Sequence, residues 1–357
     1  MSTSEDRPTP KAGRLPAEEG PALPSAPGLT GPAPFRVAST VAPSDTGTSI
    51  VIDVDAIAQM ENGRVELGER RGITFAERTL ADGTVLALKL DLLLPKAADT
   101  ALPVVVHVPG GAFLVAARDS PDERRRNVAE AGFAVASVEY RTTLQGAVWT
   151  DGVSDVKSAI RHLRAHADEY GIDADRIAVW GESAGGYLAA MVGVTNGLPR
   201  FDRGDHLDRS SEVVAVVDMF GAADLGAIAA DFDDETQEFF RGPDNSIAWY
   251  VCGRDSGSAL ADDPDAVTRA DPATYVSAST PPFLLFHGTD DRLVSPSQTL
   301  TLHNALRAAG ADSTRWVIQG AGHGDMAFLG DQEAVLPWSS QQVMSVLIDF
   351  LRSRLTP

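Results

Sequence analysis

The chain has 357 residues, enough for one large domain or two ordinary ones, and 43% of them are hydrophobic, which suffices for a buried core. Its formal net charge of −20 at pH 7 excludes nucleic acid and anionic membrane surfaces as favourable partners, because like charges repel. With one cysteine, Cys252, no intrachain disulfide can form, which is typical of a reducing compartment.

The sequence contains no recognisable signal for export or membrane insertion. Its N-terminus reads MSTSEDRPTPKAG and lacks the apolar core of a secretory signal peptide. No stretch approaches the roughly 18 continuous apolar residues that a membrane-spanning helix needs. We therefore expect a cytoplasmic protein that does not bind membranes.

Residues 1–46 are a proline-rich segment that holds nine of the chain's 22 prolines, interleaved with Gly, Ala, Ser and Thr. Such a segment buries too little apolar surface to offset the entropy lost on ordering. We predict a mostly disordered arm over residues 1–46, followed by one α/β domain over residues 47–357. An alternative is that the end of the arm, Phe35–Val37, packs over the functional site as part of a lid.

Strand and helix patterns alternate from about Ile73 onward. Thr74–Leu80 and Val85–Leu94 flank Asp82-Gly83, a turn pair that favours a β-hairpin. Short apolar runs predict buried strands at Pro103–Val108, Gly132–Tyr140, Arg176–Trp180, Val213–Phe220, Pro282–His287 and Thr314–Ile318. Helical spacing or composition predicts helices at Ser154–Tyr170, Ala184–Thr195, Ser297–Ala309 and Trp338–Leu355. This alternation predicts a mostly parallel sheet with helices on both faces.

One long connection interrupts the alternation. Gly221 to Tyr275 separates two predicted strands by some 50 residues rich in Asp, Gly and Ala. A connection of this length in a compact domain is usually functional. We favour a lid or substrate-wall insertion over residues 221–275; the alternative is a solvated acidic insert.

The pattern Gly181-Glu182-Ser183-Ala184-Gly185 follows a predicted strand directly and precedes a predicted helix. A nucleophilic serine in this setting needs a sharp, strained turn, and the flanking glycines allow close approach of the backbone. The helix also points its free N–H groups and its positive dipole end at the same place. We predict that Ser183 is a catalytic nucleophile.

A serine hydroxyl needs a general base, and the base needs an orienting acid. His323 lies in Gly320-Ala321-Gly322-His323-Gly324, just past the last predicted strand, where the base of such an enzyme is expected. Two adjacent aspartates, Asp290 and Asp291, close an earlier strand. Their side chains must point in different directions, and the residues alone leave the choice between them open.

The other histidines are less well placed for this role. We expect His107, inside a predicted strand, to be a buried, hydrogen-bonded residue, and His287 to support the turn at its strand end. His162 and His166 are four residues apart on one predicted helix, a spacing that suits a metal, but the glutamate of a zinc-protease motif is absent. We therefore expect them on a solvated face, with no metal bound.

The oxyanion of an acyl-transfer reaction needs preorganised backbone N–H donors. Pro109-Gly110-Gly111-Ala112-Phe113 follows the early strand, where such a loop belongs. The amide of Ala184, next to the nucleophile, is a further expected donor.

Over roughly residues 72–355 the chain resembles the hormone-sensitive-lipase-like and bacterial feruloyl- and acetyl-esterase-like branch of the α/β-hydrolase superfamily. The resemblance is carried by PGGAF, EYR, DVKSAIRHLRAHADEYGID, RIAVWGESAGG, VVDMFGAADL, ADPATYV, PPFLLFHGTDDRLVSP and GAGHG. It implies an α/β-hydrolase fold with a mostly parallel central sheet, helices on both faces and a lid or cap insertion.

The resemblance also implies the site residues. It favours Asp291 over Asp290, because family members carry the acid at the fifth position of HGxxDxxV, and it completes a triad with Ser183 and His323. It implies Gly111 and Ala112 as oxyanion donors beside Ala184. Two departures stand out: Pro109 replaces the histidine that begins the family's HGGG-type loop, and Asp244–Asp263 replaces its usual Ser-Pro-containing segment.

The predicted function is a serine carboxylesterase that hydrolyses small to medium carboxylic esters through an acyl-enzyme, without a cofactor or a metal. The alternatives are an acyltransferase, lactone-forming or amide-cleaving enzyme that uses the same triad on a specialised metabolite, and a non-catalytic ligand-binding relative. The expected partner is a small-molecule ester. The long helices at Ser297–Ala309 and Trp338–Leu355 are candidates for a homodimer interface.

Overall fold

The computed structural model describes residues 33–53, 58–120, 123–324 and 337–356. Within these residues the strands are β1 (Ile50–Asp53), β2 (Leu67–Thr79), β3 (Val85–Pro95), β4 (Leu102–Val108), β5 (Ala134–Val138), β6 (Ile172–Glu182), β7 (Val216–Met219), β8 (Phe283–Gly288) and β9 (Ser313–Gln319). The helices are α1 (Glu123–Glu130), α2 (Trp149–Ala165), α3 (Ala167–Tyr170), α4 (Ala184–Val194), α5 (Asp234–Arg241), α6 (Ser246–Cys252), α7 (Pro264–Ala270), α8 (Ser297–Ala308) and α9 (Gln341–Leu355). None of the helices in these ranges is long and apolar enough to cross a bilayer.

All the strands join one sheet in the order β1-β9-β8-β7-β6-β4-β5-β3-β2. Strand β3 pairs antiparallel with β2 and with β5, whereas the strands from β5 through β4 to β1 pair parallel. The predicted mostly parallel sheet is therefore confirmed. Strand β1 was not predicted, because its four residues are largely exposed and carry no buried-strand pattern.

The predicted hairpin is present, with a wider turn than a two-residue loop. Thr79 pairs with Val85, and residues 80–84 form the connection. Gly83 takes a φ of 84°, in the left-handed region that glycine adopts without strain. Asp82-Gly83 thus marks the turn as the sequence indicated.

The sheet is covered on both faces, as predicted. Strand β4 is buried along its whole length, and successive side chains of a strand point to opposite faces. Val104 and Val106 belong to a hydrophobic cluster that includes residues of α2, α4 and α8. Val105 belongs to a second cluster, which includes residues of α1 and α9. Two hydrophobic layers therefore enclose the sheet.

The insertion over residues 221–275 packs on the first of these clusters. It contains α5, α6 and α7, and Phe232, Ile247, Tyr250 and Leu260 are among its buried side chains. These buried contacts do not fit the alternative of a solvated acidic insert. The insertion is a folded layer of the domain.

The predicted disordered arm covered residues 1–46, of which residues 1–32 lie outside the described residues. From residue 33 onward the structure differs from this prediction. The amide of Ala38 donates to the carbonyl of Arg292 (2.9 Å), and the amide of Ser246 donates to the carbonyl of Pro34 (2.7 Å). Ser39 donates to the carboxylate of Asp233 through its amide and its hydroxyl. Residues 33–42 are therefore held against the insertion by specific hydrogen bonds, which composition alone does not indicate.

Candidate active site

Ser183 lies at the junction of β6 and α4, with φ 56° and ψ −121°, a conformation that non-glycine residues rarely adopt. The flanking glycines are required by close packing. A Cβ on Gly181 would lie 1.9 Å from the carbonyl oxygen of Gly185, and a Cβ on Gly185 would lie 2.0 Å from that of Val108. The amide of Ser183 donates to the carbonyl of Met219 (2.9 Å), which fixes the turn to the neighbouring strand.

The structure brings the three predicted triad residues into one hydrogen-bonded chain. The Oγ of Ser183 lies 2.8 Å from Nε2 of His323, and Nδ1 of His323 lies 2.7 Å from Oδ2 of Asp291. Because Nδ1 faces a carboxylate, it carries the proton, and Nε2 is left to accept the proton of the serine hydroxyl. This is the arrangement of a nucleophile, a base and an orienting acid.

Asp291, and not Asp290, is the aspartate whose carboxylate contacts His323. Asp291 is fully buried, and its Oδ1 accepts hydrogen bonds from the amides of Leu293 and Val294, both at 2.9 Å. Burial raises the pKa of Asp291, but the charge of His323 and hydrogen bonds from His287 and His323 outweigh it and hold this pKa well below its usual range. The carboxylate therefore stays ionised. Asp290 is exposed.

The predicted oxyanion loop is held in an unusual backbone conformation. Gly111, Ala112 and Phe113 have φ values of 139°, 53° and 61°. Within the described residues, the amides of Gly111, Ala112 and Ala184 donate no hydrogen bond to the protein. A Cβ on Gly110 would lie 3.1 Å from the Cβ of Ser183, so the loop runs directly against the nucleophile. These amides are available to a developing oxyanion.

The loop is braced by groups other than the missing histidine at position 109. Tyr140 donates its hydroxyl to the carbonyl of Pro109 (3.0 Å). The carbonyl of Phe113 accepts hydrogen bonds from the amide and the hydroxyl of Thr143. The Phe113 ring stacks on Tyr250 of α6, with centroids 3.8 Å apart and planes 9° apart. The insertion therefore supports the oxyanion loop from behind.

The BD-FAE family model matches residues 90–306. The chain belongs to this family. The match covers Ser183 and Asp291, whereas His323 follows it, and it confirms the resemblance to hormone-sensitive-lipase-like and feruloyl-esterase-like hydrolases.

Curated relatives and solved structures agree with the BD-FAE assignment. The Arabidopsis thaliana protein "Probable isoprenylcysteine alpha-carbonyl methylesterase ICMEL1" is 30% identical over 259 residues, 72% of this chain and 52% of its own length. "Esterase LipC" of Mycobacterium tuberculosis (strain ATCC 25618 / H37Rv) is 31% identical over 224 residues, 62% of this chain and 53% of its own. The chain thus spans about half the length of these relatives.

A solved structure described as "Truncated form of carbohydrate esterase from gut microbiota" is 26% identical to this BD-FAE chain. The alignment covers 84% of this chain and 100% of that one, with a TM-score of 0.69. Together with the sheet order and the turn at Ser183, this confirms the predicted α/β-hydrolase fold.

The structure adds one residue to the site that the sequence did not assign to it. His287 was predicted to support its strand-end turn, and its Nε2 does lie 3.1 Å from the carbonyl oxygen of Val294. The same Nε2 also lies 3.2 Å from Oδ2 of Asp291. The signal that could have revealed this contact is the four-residue spacing of His287 and Asp291 around one tight turn.

Two further predictions for histidines have different outcomes. His107 is buried, and its Nδ1 lies 3.2 Å from Oγ of Ser137, so the predicted hydrogen-bonded role is confirmed. The prediction of a solvated face is wrong for His162, which is only 6% exposed. Its ring stacks on that of His166, and the ring of His206 packs edge-on against it.

A buried acid behind the serine turn was also missed. Asp218, in β7, is fully buried, and its Oδ1 accepts a hydrogen bond from the amide of Gly221 (2.9 Å). Burial raises its pKa to about 8. A Cβ on Gly186 would lie 2.3 Å from this Oδ1, so the carboxyl packs directly against the first turn of α4. Nothing local in the sequence distinguishes it from a surface aspartate.

Proposed function

We propose that the chain is a serine carboxylic-ester hydrolase that acts on small to medium carboxylic esters through an acyl-enzyme. The observation that carries the proposal is the continuous hydrogen-bonded chain from Ser183 through His323 to Asp291. The strained turn at Ser183 and the three neighbouring amides, which donate to no group of the described residues, supply the other two requirements of acyl transfer. The names of the relatives, methylesterase and esterase, support the same class of reaction.

In the first half of the reaction, Oγ of Ser183 attacks the ester carbonyl while Nε2 of His323 takes its proton. The carbonyl oxygen becomes an oxyanion that the amides of Gly111, Ala112 and Ala184 stabilise, each donor typically being worth about 10²–10³ in rate. Asp291 stays ionised and stabilises the imidazolium. The alcohol leaves with the proton from His323, and the acyl group remains on Ser183.

In the second half, a water molecule replaces the alcohol. His323 takes a proton from this water, which attacks the acyl-enzyme, and the oxyanion forms in the same place. Collapse of this second tetrahedral intermediate releases the carboxylic acid and returns the proton from His323 to Ser183. His323 therefore carries every proton that moves.

The proposal extends to the insertion as the substrate wall. Residues 221–275 pack behind the oxyanion loop through Tyr250, and residues 33–42 are bonded to the insertion and to Arg292, next to the triad acid. We propose that these two segments together form a lid that bounds the acyl or alcohol pocket. A probable methylesterase and a carbohydrate esterase among the similar proteins make methyl esters and carbohydrate esters the first substrates to examine.

Hydrolysis of p-nitrophenyl acetate and butyrate by Ser183→Ala tests the proposal. We expect turnover to fall by about 10⁵-fold or more, to background, while Ser353→Ala, an exposed serine on α9, keeps the wild-type rate. A fluorophosphonate probe should label the wild type and not Ser183→Ala. Unchanged turnover in a folded Ser183→Ala protein contradicts the assignment.

A panel of esters of graded chain length, with feruloyl, methyl and acetylated-sugar esters, then defines the substrate. Product analysis with competing alcohols separates hydrolysis from acyl transfer by the same triad. The cytoplasmic location and the homodimer stay predictions from the sequence.

A further inference from the structure

Three histidines converge at one end of α2, away from the triad. His162 lies on the last turn of α2, His166 directly follows that helix, and His206 lies in the connection between α4 and β7. One ring nitrogen of each lies within 4.8 Å of one ring nitrogen of the other two. The ring centroids of His162 and His166 are 4.1 Å apart. The ring centroid of His206 lies 5.7 Å from that of His162 and 5.4 Å from that of His166.

Hydrogen bonds orient two of these rings. Nδ1 of His166 lies 2.9 Å from the carbonyl oxygen of His162, so Nδ1 carries the proton and Nε2 keeps a lone pair. Nε2 of His162 lies 3.0 Å from the hydroxyl of Tyr170, which leaves its Nδ1 for another partner. Metal-binding histidines typically show this pattern, one nitrogen bonded to a carbonyl or hydroxyl and the other facing the ion.

The segment that carries His206 is fixed to α2 by a buried arginine. Arg161 is fully buried and donates to the carbonyl of Asp205 (3.0 Å) and the carboxylate of Asp202 (2.7 Å). It also donates to the carbonyl of Arg203. The third imidazole is thereby held beside the other two by contacts that do not involve the histidines themselves.

We propose that His162, His166 and His206 form a binding site for one divalent transition-metal ion of the Zn²⁺ type. Three imidazole ligands with one position left for water is a coordination that Zn²⁺ accepts, with Zn–N distances of about 2.0–2.1 Å. One ring nitrogen of each histidine already lies within 4.8 Å of the other two, and the half-buried His166 and His206 give the ion access from solvent.

Electrostatics favours the same site. The neighbouring Asp205 carboxylate and the net charge of −20 attract a cation.

The position of the three-histidine site in the fold predicts that a bound ion stabilises the structure and takes no part in catalysis. Helix α2 runs from the C-terminal end of β5 back to the N-terminal end of β6. His162, on the last turn of α2, and His166, directly after it, therefore lie near the N-terminal end of β6, whereas Ser183 follows its C-terminal end. An ion there would join the segment around His206 to α2 and stabilise the fold, without contacting the substrate.

The test measures Zn²⁺ binding to the full, EDTA-treated chain by calorimetry, together with the thermal midpoint. We expect about one ion per chain and a higher Tm with Zn²⁺, because a ligand of the folded state stabilises it. His166→Ala and His206→Ala should each weaken binding at least about tenfold and abolish the Tm increase. His303→Gln is the matched control, a buried histidine on α8 whose Nδ1 contacts Ser313, and it should bind Zn²⁺ normally.

Ester hydrolysis by each variant reports folding and separates this proposal from the proposed function. Wild-type rates in His166→Ala and His206→Ala, with Zn²⁺ binding lost, are the expected result. Co²⁺ in place of Zn²⁺ should give visible absorption bands that disappear in both variants. The absence of stoichiometric binding, or binding that survives both substitutions, would overturn the site and show the cluster to be packing between imidazoles only.

Discussion

Oδ2 of Asp291 lies between two imidazoles, 2.7 Å from Nδ1 of His323 and 3.2 Å from Nε2 of His287. His287 and Asp291 are fully buried, and Nδ1 of His287 lies 2.9 Å from the hydroxyl of Thr299. The carboxylate of Asp291 is therefore oriented by a second histidine, which is itself held by Thr299. We infer that His287 is a positioning residue.

His287→Leu should lower kcat by about 10- to 100-fold. A hydrogen bond to a charged group is worth about 1.5–3 kcal/mol, and each 1.4 kcal/mol is about tenfold in rate. KM should change less than about twofold, because His287 is fully buried behind Asp291. Thr299→Val should give a smaller decrease in kcat. A folded His287→Leu protein with wild-type kcat would refute the positioning role.

The two adjacent aspartates should differ sharply on substitution. Asp291→Asn leaves the geometry nearly intact but lets His323 hold the wrong tautomer, which typically costs about 10⁴ in kcat. Asp290→Asn is the matched control, because its carboxylate is exposed and accepts only from Thr289 among the described residues. Steady-state kinetics on one ester decides between them, and equal losses would show that the triad acid is misassigned.

The meeting of Ser183, His323 and Asp291 could be predicted because each of them lies in a short local pattern that encodes its own turn. Ser183 follows a strand and precedes a helix, and Asp291 and His323 follow the last residues of β8 and β9. The supports of the site could not be predicted in this way. Tyr250 reaches Phe113 across a large separation in sequence, and His206 reaches α2 through Arg161. Such contacts depend on how distant elements pack, which no local pattern records.

The stacking of Tyr250 on Phe113 should matter for catalysis. Tyr250→Leu removes an aromatic pair worth about 0.5–1.5 kcal/mol and loosens the loop that carries the Gly111 and Ala112 amides, so kcat should fall about three- to tenfold. Tyr250→Phe keeps the ring and should retain the wild-type kcat. If both variants behave alike in kinetics and in melting temperature, the stacked ring does not support the loop.

Close packing at the serine turn predicts an intolerance to a single methyl group. Gly185→Ala would place a Cβ 2.0 Å from the carbonyl oxygen of Val108, and relieving such a clash typically costs about 1–3 kcal/mol. Because the clash displaces the turn itself, we also expect ester hydrolysis to be lost. Gly242→Ala, where a Cβ would meet only ordinary contact at 3.4 Å, is the matched control. Urea unfolding measures the stability, and full activity in Gly185→Ala would contradict the packing argument.

Asp218 should make the stability of the protein depend on pH. Burial raises its pKa to about 8 in the folded state, whereas an aspartate of an unfolded chain titrates near 3.9. Between these values the folded protein holds a proton that the unfolded chain has released. The free energy of unfolding therefore falls as pH rises from about 4 to about 8, and the contribution is fully present only at the acidic end.

Asp218→Asn removes this titration while keeping an oxygen that accepts from the amide of Gly221. We expect the variant to be more stable than the wild type at about pH 8, with a Tm higher by roughly 2–4 °C for each kcal/mol gained, and the difference to shrink towards about pH 4. Melting curves of both proteins across this range give the comparison, with the exposed Asp290→Asn as a control that should follow the wild type. Parallel curves for Asp218→Asn and the wild type would mean that Asp218 does not hold the extra proton.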